Sequence, residues 1–297
     1  VLVFEGDEGL RAFARIVREG SFCAIDAKKA LQHVYPADNA DKAFVGLSDV
    51  AKARFFDIGL AAYLLNSNVS KYEYEPLCDV YLGAVLPEPQ SEEARAAAHA
   101  FIGRRLSESL RAALEKDESI SCYTKIDLPL VGTLVGMERV GAMLDTGALA
   151  SMGAETSAEI ADVKAEVISL AGEEFNLDSP KQLGHILFEV LGLPVGKKNQ
   201  RGYSTDAKTL KGLEDKHPIA SKVLRYRELA KMQSTYIDAL PNMRAGDGRV
   251  HTSFNQTVTT TGRLSSSNPN LQNIPVRTEF GRRIRECFVP LREGDVF

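Results

Sequence analysis

TTTGRLSSSNPNLQNIPVRTEFGRRIR, residues Thr259–Arg285, is the stretch on which the reading of this 297-residue chain turns. It has no acidic residue before Glu279 and carries Arg263, Arg277, Arg282, Arg283 and Arg285. Asn268, Asn270, Gln272 and Asn273 supply amides, and Pro269 and Pro275 push the residues before them toward extended backbone. An arginine entering a DNA minor groove meets purine N3 and pyrimidine O2, acceptors present at every base pair. Such a contact feels pairing geometry without reading sequence. Amides can do similar work, and further Lys and Arg neutralise phosphates. Arg263 beside Ser265–Ser267, with Asn270, Gln272 and Asn273, is thus a chemically sensible duplex-gripping loop. The same residues also read as a polar surface loop tied together by its own Asn and Ser hydrogen bonds.

The flanking sequence is built to present such a loop. Upstream, RVHTSFNQTVTT (249–260) is rich in Thr, Val and Phe and roughly alternates, predicting a strand or hairpin arm. Before it, HPIASKVLRYRELAKMQSTYIDAL (217–240) predicts a helix of about six turns. Arg227, Lys231 and Ser234 share one face of that helix, with Tyr226, Ala230, Gln233 and Ile237 on the adjacent stripe. A basic, hydroxyl-bearing face can lie along a phosphate backbone. It can equally be a solvated face paired with Glu228 or Asp238.

Charge divides along the chain in the same sense. The net charge is −4, yet residues 1–194 hold 18 Lys and Arg against 30 Asp and Glu, while residues 195–297 hold 18 against 10. A basic second half suits a polyanion partner, although an unevenly charged solvated surface gives the same split. No apolar run reaches the roughly 18 residues of a membrane span. The first ten residues lack the basic lead and apolar run of a secretory signal. Cys23, Cys78, Cys122 and Cys287 have no partner at zinc or redox spacing, which fits incidental thiols in a reducing cytoplasm.

Between Lys125 and Leu240 the pattern is almost wholly helical. Helices are expected over DLPLVGTLVGMERV with a turn at Gly141, over SAEIADVKAEVISL ending near Gly172, and over SPKQLGHILFEV with Ser179 as N-cap and Pro180 at the first helical position. Another starts at Thr205–Asp206 after a basic Gly-rich loop. Residues 1–85 mix strand signals (VLVF, FCAID) with helix signals (GLRAFARIV, LSDVAKARF) and a dense apolar run, FFDIGLAAYLL, long enough for a buried helix. After the breakers Pro87 and Pro89, Ser91 is a plausible N-cap for a helix over Glu92–Lys116. Alternating signals of this kind suggest an α/β unit ahead of the helical one.

TTTGRLSSSNPNLQNIPVRTEFGRRIRECFVP resembles the signature preceding the first catalytic motif of family A DNA polymerases, the bacterial DNA polymerase I group. LAGEEFNLDSPKQLGHILFEVLGLP, GYSTDAKTL and YRELAKMQSTYIDALP are similar to that family's thumb, and YTKIDLPLVGTLVGMERVGAMLD to the opening of its polymerase domain. The resemblance covers about Tyr123–Pro290 closely and residues 1–120 more loosely. It implies a multidomain fold, α/β plus mainly α: a ribonuclease H-like, 3′–5′ exonuclease-type domain over 1–120, then the N-terminal part of the polymerase domain over 121–297. Within the latter, the thumb falls at about 155–245 and the start of the palm at about 246–297.

The resemblance also assigns DNA contacts. Arg263 matches the arginine that touches the minor groove at the primer terminus; Asn270, Gln272, Asn273 and Arg277 match the same duplex-contacting segment. Asn176, Ser179 and Gln182 match the thumb loop and helix tip that meet the backbone. Arg227, Lys231, Ser234 and Thr235 match the thumb helix along the minor groove, and His251, Asn255 and Gln256 the strand leading into the site. Primer–template DNA is the implied partner, with deoxynucleoside triphosphates and magnesium belonging to the intact parent, a cytoplasmic enzyme of replication and repair.

Catalytic groups are a different matter. The exonuclease reaction needs carboxylates around two metal ions. The sequence starts after the strand expected to carry the first pair; Asp26 lacks the Asn expected before it; and SEEARAAAHA has neither the Tyr nor the Asp of the third motif. Asp57 remains, but one carboxylate cannot hold two ions, so Asp26 and Asp57 are expected as helix caps or surface residues and the exonuclease as vestigial. The polymerase motifs Asp-Tyr-Ser-Gln-Ile-Glu and His-Asp-Glu do not occur in the 297 residues either. The expectation is a polymerase part that grips duplex, without catalytic or metal-binding residues of its own. A stand-alone DNA-binding module is the alternative.

Overall fold

A computed structural model describes residues 6–37, 43–195, 198–199 and 202–290. The strand expected at VLVF and part of the basic loop before Thr205 lie outside them. The backbone divides into two compact units: Val1–Met143 with Met243–Thr278 and Pro290–Phe297, and Leu144–Asn242 with Glu279–Val289.

The first unit opens with α1 (Gly6–Glu19), β1 (Phe22–Ala24), α2 (Ala27–Val34), α3 (Leu47–Lys52), β2 (Phe55–Asp57) and α4 (Ile58–Leu65). The FFDIGLAAYLL run expected as one helix is split. Phe55–Asp57 pairs in parallel with Phe22–Ala24, and the Asp57 carboxylate accepts the Leu60 N–H at 2.8 Å, fixing the helix start at Ile58. LSDVAKARF likewise ends as helix at Lys52, because Phe55 is taken into that strand pair. Gly59 is required where α4 begins: a Cβ there would stand 2.4 Å from the Ile25 carbonyl oxygen, which accepts the Gly59 N–H at 3.0 Å.

Next come α5 (Tyr74–Leu82) and α6 (Glu92–Lys116), the latter capped by Ser91 as expected. Along α6, Ile102, Leu106, Leu110 and Leu114 recur every fourth residue and are buried, so the helix lays one apolar stripe on the core. Each such leucine contributes about 1.5–3 kcal/mol of burial. After α7 (Ile120–Cys122) and one wide π turn, Tyr123–Asp127, α8 (Leu128–Val140) runs to Gly141, and β3 (Ala142–Leu144) follows.

The second unit is helical: α9 (Thr146–Ala171), α10 (Pro180–His185), the short β4 (Lys198–Asn199) and β5 (Gly202–Tyr203), α11 (Ala207–Lys211), α12 (Ile219–Met232) and α13 (Ala239–Asn242). The α9 helix starts well before the expected Ser157 because the Asp145 side chain caps it by accepting the Ala148 N–H at 2.9 Å; it ends at Gly172 as the sequence predicts. Val163, Val167 and Ala171 of α9 share a core with Ile219, Ala220, Val223 and Leu229 of α12. The expected six-turn helix is not uniform. It passes into a π stretch at Gln233–Ile237 and resumes as α13.

The chain then returns to the first unit. β6 (Arg249–Val250) pairs antiparallel with β3, and β7 (Ser253–Asn255) with β8 (Ser265–Ser267), which makes the expected hairpin. Finally α14 (Glu279–Glu286) and β9 (Phe288–Val289) belong to the second unit, with Gly281 and Ile284 of α14 buried. All four cysteines are free thiols. Among the described residues no helix is long and apolar enough to cross a membrane.

Candidate nucleic-acid interface

In the first unit the β7–β8 hairpin carries the candidate residues, and its own polar groups set its shape. Asn255 Nδ2 donates to Ser267 Oγ at 3.1 Å across the two strands. Thr252 Oγ1 lies 3.1 Å from the Ser267 carbonyl and 2.6 Å from that of Pro269. Gln256 Nε2 donates to the Asp127 carbonyl at 3.0 Å. His251 is turned inward: its side chain is 7% exposed, with Nδ1 2.7 Å from the Glu138 carbonyl and Nε2 3.3 Å from Asp247.

The hairpin tip is held from behind. The Tyr63 O–H donates to the Thr259 carbonyl at 2.7 Å and accepts the Gly262 N–H at 3.1 Å. Ser67 Oγ donates to the Thr260 carbonyl at 3.2 Å, and Thr259 Oγ1 to the Arg263 carbonyl at 2.7 Å. Gly262 sits at φ +73°, a left-handed conformation that a side chain resists. Arg263 follows immediately. Its side chain is exposed and meets no hydrogen-bond or ion-pair partner among the described residues.

Downstream, Asn270 caps the one-turn 3₁₀ helix Leu271–Asn273: its Oδ1 accepts the Gln272 N–H at 3.1 Å and the Ser266 O–H at 3.3 Å. Gln272 Nε2 donates to the Leu264 carbonyl at 3.1 Å. Asn273 and Arg277 are exposed, and Arg277 has no ion pair among the described residues. The loop is thus tied together by its own hydrogen bonds, the second of the two sequence alternatives, and Arg263 stands open on it. The amides rigidify the backbone while Arg263 stays open.

In the second unit, Asn176, Ser179 and Gln182 form one knot at the start of α10. Ser179 Oγ accepts the Gln182 N–H at 3.4 Å, Gln182 Oε1 accepts the Asn176 N–H at 2.7 Å, and Asn176 Oδ1 accepts the Asp178 N–H at 2.9 Å. Asn176 and Gln182 are both exposed residues. On α12, Arg227 departs from the expected open face. Its guanidinium donates to the Thr205 carbonyl and, at 3.2 Å, to Thr205 Oγ1. Lys231, Ser234 and Thr235 are exposed. The alternative pairing with Glu228 or Asp238 is not formed: Glu228 takes Arg225 at 3.1 Å, and Asp238 takes the Gln233 amide at 2.7 Å. In α14, Arg282 pairs with Glu279 and Glu286, and Arg283 reaches Glu155 at 2.7 Å. Arg282 and Arg283, near the end of the opening stretch, are thus spent on ion pairs.

Sequence reasoning missed the groups behind the hairpin. Glu138, 2% exposed, accepts from Lys28 Nζ at 2.5 Å, from the Phe254 N–H at 2.7 Å and from Gln32. Lys28 also donates to the Phe254 carbonyl at 2.8 Å. These residues lie far apart in the chain, and only the partly apolar setting of Glu138 in VGMERVGAM hinted at its burial.

Asp26 and Asp57, the carboxylates left from the exonuclease reading, are a poor fit for a divalent ion. The Asp26 carboxylate accepts the Lys29 N–H at 2.9 Å as the cap of α2. Asp57 accepts the N–H groups of Ala27 and Leu60, both at 2.8 Å, and burial pushes its pKa up to about 7. A carboxylate half protonated near neutral pH and filled by backbone donors is a poor cation ligand. Among the described residues no group of three or more His, Cys, Asp or Glu is placed to hold a metal.

The chain is similar in sequence and fold to known proteins. The model of "DNA polymerase family A" matches residues 146–297. The chain is 41% identical over 255 residues to DNA polymerase I of Bacillus subtilis, covering 80% of this chain and 29% of that protein. It is 49% identical over 194 residues to the thermostable DNA polymerase I of Thermus aquaticus, covering 64% and 23%. Among solved structures, the POL domain of Pol1 from M. smegmatis, in complex with DNA primer-template and dNTP, superposes with a TM-score of 0.80 at 34% identity over 96% of this chain and 49% of that one. The chain belongs to DNA polymerase family A. It is a mostly helical α/β chain with the fold of a DNA polymerase domain, and it spans less than a third of the length of these curated relatives.

Proposed function

We propose that this chain is the duplex-gripping, N-terminal part of the large fragment of a DNA-directed DNA polymerase of the polymerase I kind. In this reading residues 1–120 are a degenerate 3′–5′ exonuclease-like domain of ribonuclease H-like fold; the thumb occupies about 155–245 and the start of the palm about 246–297. The parallel β1–β2 pair with its flanking helices supports the first assignment, and the helical second unit supports the thumb. The intact parent extends a primer on its template in replication and repair, in the cytoplasm, consuming deoxynucleoside triphosphates with magnesium. The carboxylates for that chemistry are not among these residues, and Asp26 and Asp57 are occupied as caps.

The duplex is met in the first unit by Asn255, Gln256, Arg263, Asn270, Gln272, Asn273 and Arg277, with His251 holding the strand from inside. In the second unit Asn176, Ser179, Gln182, Lys231, Ser234 and Thr235 face the DNA backbone, and Arg227 braces the loop at Thr205. The observation that carries the reading is Arg263: a guanidinium left open to solvent on a backbone tied down on both sides. A backbone already held in this way has little entropy left to lose on binding, so the remaining ordering cost falls on the side chain alone. Hydroxyl-radical footprinting of a primer–template on the purified chain tests it. Protection of minor-groove sugars next to the primer 3′ end is expected. Uniform cleavage along the duplex would overturn the reading.

A further inference from the structure

We infer that Tyr63, in the exonuclease-like region, is a positioning residue for Arg263. The inference rests on the duplex-gripping role proposed above for the loop. Tyr63 lies in α4, within the apolar run of that helix, and is 4% exposed. Its ring meets Tyr72 edge-on at 6.2 Å between centroids, so packing fixes the ring and thereby the hydroxyl. That hydroxyl makes both bonds it is suited to, donating to the Thr259 carbonyl at 2.7 Å and accepting the Gly262 N–H at 3.1 Å.

The two bonds clamp both sides of the turn that delivers Arg263. Thr259 Oγ1 closes the same turn on the Arg263 carbonyl at 2.7 Å, and Ser67 adds a third anchor from the end of α4. Gly262, at φ +73°, has many conformations open to it, so the turn needs an external restraint to hold one. A helix that starts at Asp57, a carboxylate filled by backbone donors, thus supplies the rigid wall against which the duplex-facing arginine is set. Keeping that helix in place has a physical use independent of nuclease chemistry.

The test is a double-mutant cycle on the full chain, with Tyr63→Phe, Arg263→Ala and both together. Primer–template affinity is measured at fixed salt, and amide hydrogen exchange over Thr259–Arg263. Tyr63→Phe keeps the ring and removes only the hydroxyl. Expected are exchange of the Gly262 amide about tenfold faster or more, and affinity weakened about fivefold, the equivalent of ~1 kcal/mol. The affinity loss should vanish in the Arg263→Ala background. If Arg263→Ala weakens binding but Tyr63→Phe does not, or if the two losses simply add, the positioning role is overturned and the duplex reading stands. If Arg263→Ala leaves binding unchanged, the duplex reading falls and takes the role of Tyr63 with it.

Discussion

The backbone N–H of Phe254 in β7 donates to the carboxylate of Glu138 in α8 at 2.7 Å, and Lys28 of α2 closes on the same carboxylate at 2.5 Å. One buried anion therefore holds the hairpin strand to two helices. Removing one partner of a buried pair leaves an uncompensated charge, which typically costs about 3–5 kcal/mol. Lys28→Met is expected to destabilise the chain at the lower end of that range, because the Phe254 N–H and Gln32 still face Glu138. Lys28→Met combined with Glu138→Gln should cost less than the sum of the two. Urea unfolding of the four proteins checks this, and additive losses would show that the pair is not coupled.

Lys231 is exposed on α12 with no ion pair among the described residues. Lys231→Ala should leave thermal stability unchanged and weaken primer–template binding alike for every sequence. The slope of log affinity against log salt should fall by about one, the signature of one lost phosphate contact. Arg263→Ala, by contrast, should cost about 1.5–3 kcal/mol of duplex affinity, as for a hydrogen bond from a charged group. An unchanged slope for Lys231→Ala would remove that residue from the interface.

Asp57 has a folded-state pKa raised from the usual carboxylate range to about 7, first by burial and further by the nearby Asp26 charge, against the backbone N–H groups that favour its ionised form. The phenol of Tyr123 lies alongside: it accepts the Asp57 N–H and donates to the Asp57 carbonyl. With the folded pKa above the unfolded one, the native state binds more protons between them. This group's contribution to stability is therefore full at acid pH, falls as pH rises from the unfolded value toward about 7, and is level above that. Asp57→Asn should remove this slope from melting temperatures recorded between pH 5 and 8, besides lowering them, since an amide NH₂ would face the Ala27 N–H. A variant with the parent's slope would refute the assignment.

With magnesium or manganese added, the purified chain is expected not to shorten a labelled primer, since Asp26 and Asp57 serve as caps, nor to extend it, since neither polymerase motif occurs in the 297 residues. Metal-dependent change in primer length by clean protein would contradict this.

What could be read from the sequence was local. Ser91, Ser179–Pro180 and Gly172 mark helix ends because a cap or a left-handed glycine acts within one turn. The β7–β8 hairpin was visible in its alternation and turn residues. FFDIGLAAYLL was misread as a single helix because hydrophobicity alone does not separate a buried strand from a buried helix; the pairing of Phe55–Asp57 with β1 decided it. The candidate site was legible as a set of residue types, and Arg263 is as exposed as its surroundings suggested. The loss of Arg227 to Thr205, of Arg283 to Glu155 and of His251 to Glu138 was not legible. Nor were the anchors at Glu138 and Tyr63. Each depends on partners brought together only by tertiary packing, which no spacing along the chain encodes.

A chain that grips a DNA duplex through open basic side chains must release counterions as it binds. The most direct measurement is the affinity of the purified chain for a labelled primer–template at several salt concentrations. Measurable binding that weakens linearly in log salt is expected, as counterion release by several phosphate contacts requires. Absent binding, or binding indifferent to salt, would contradict it.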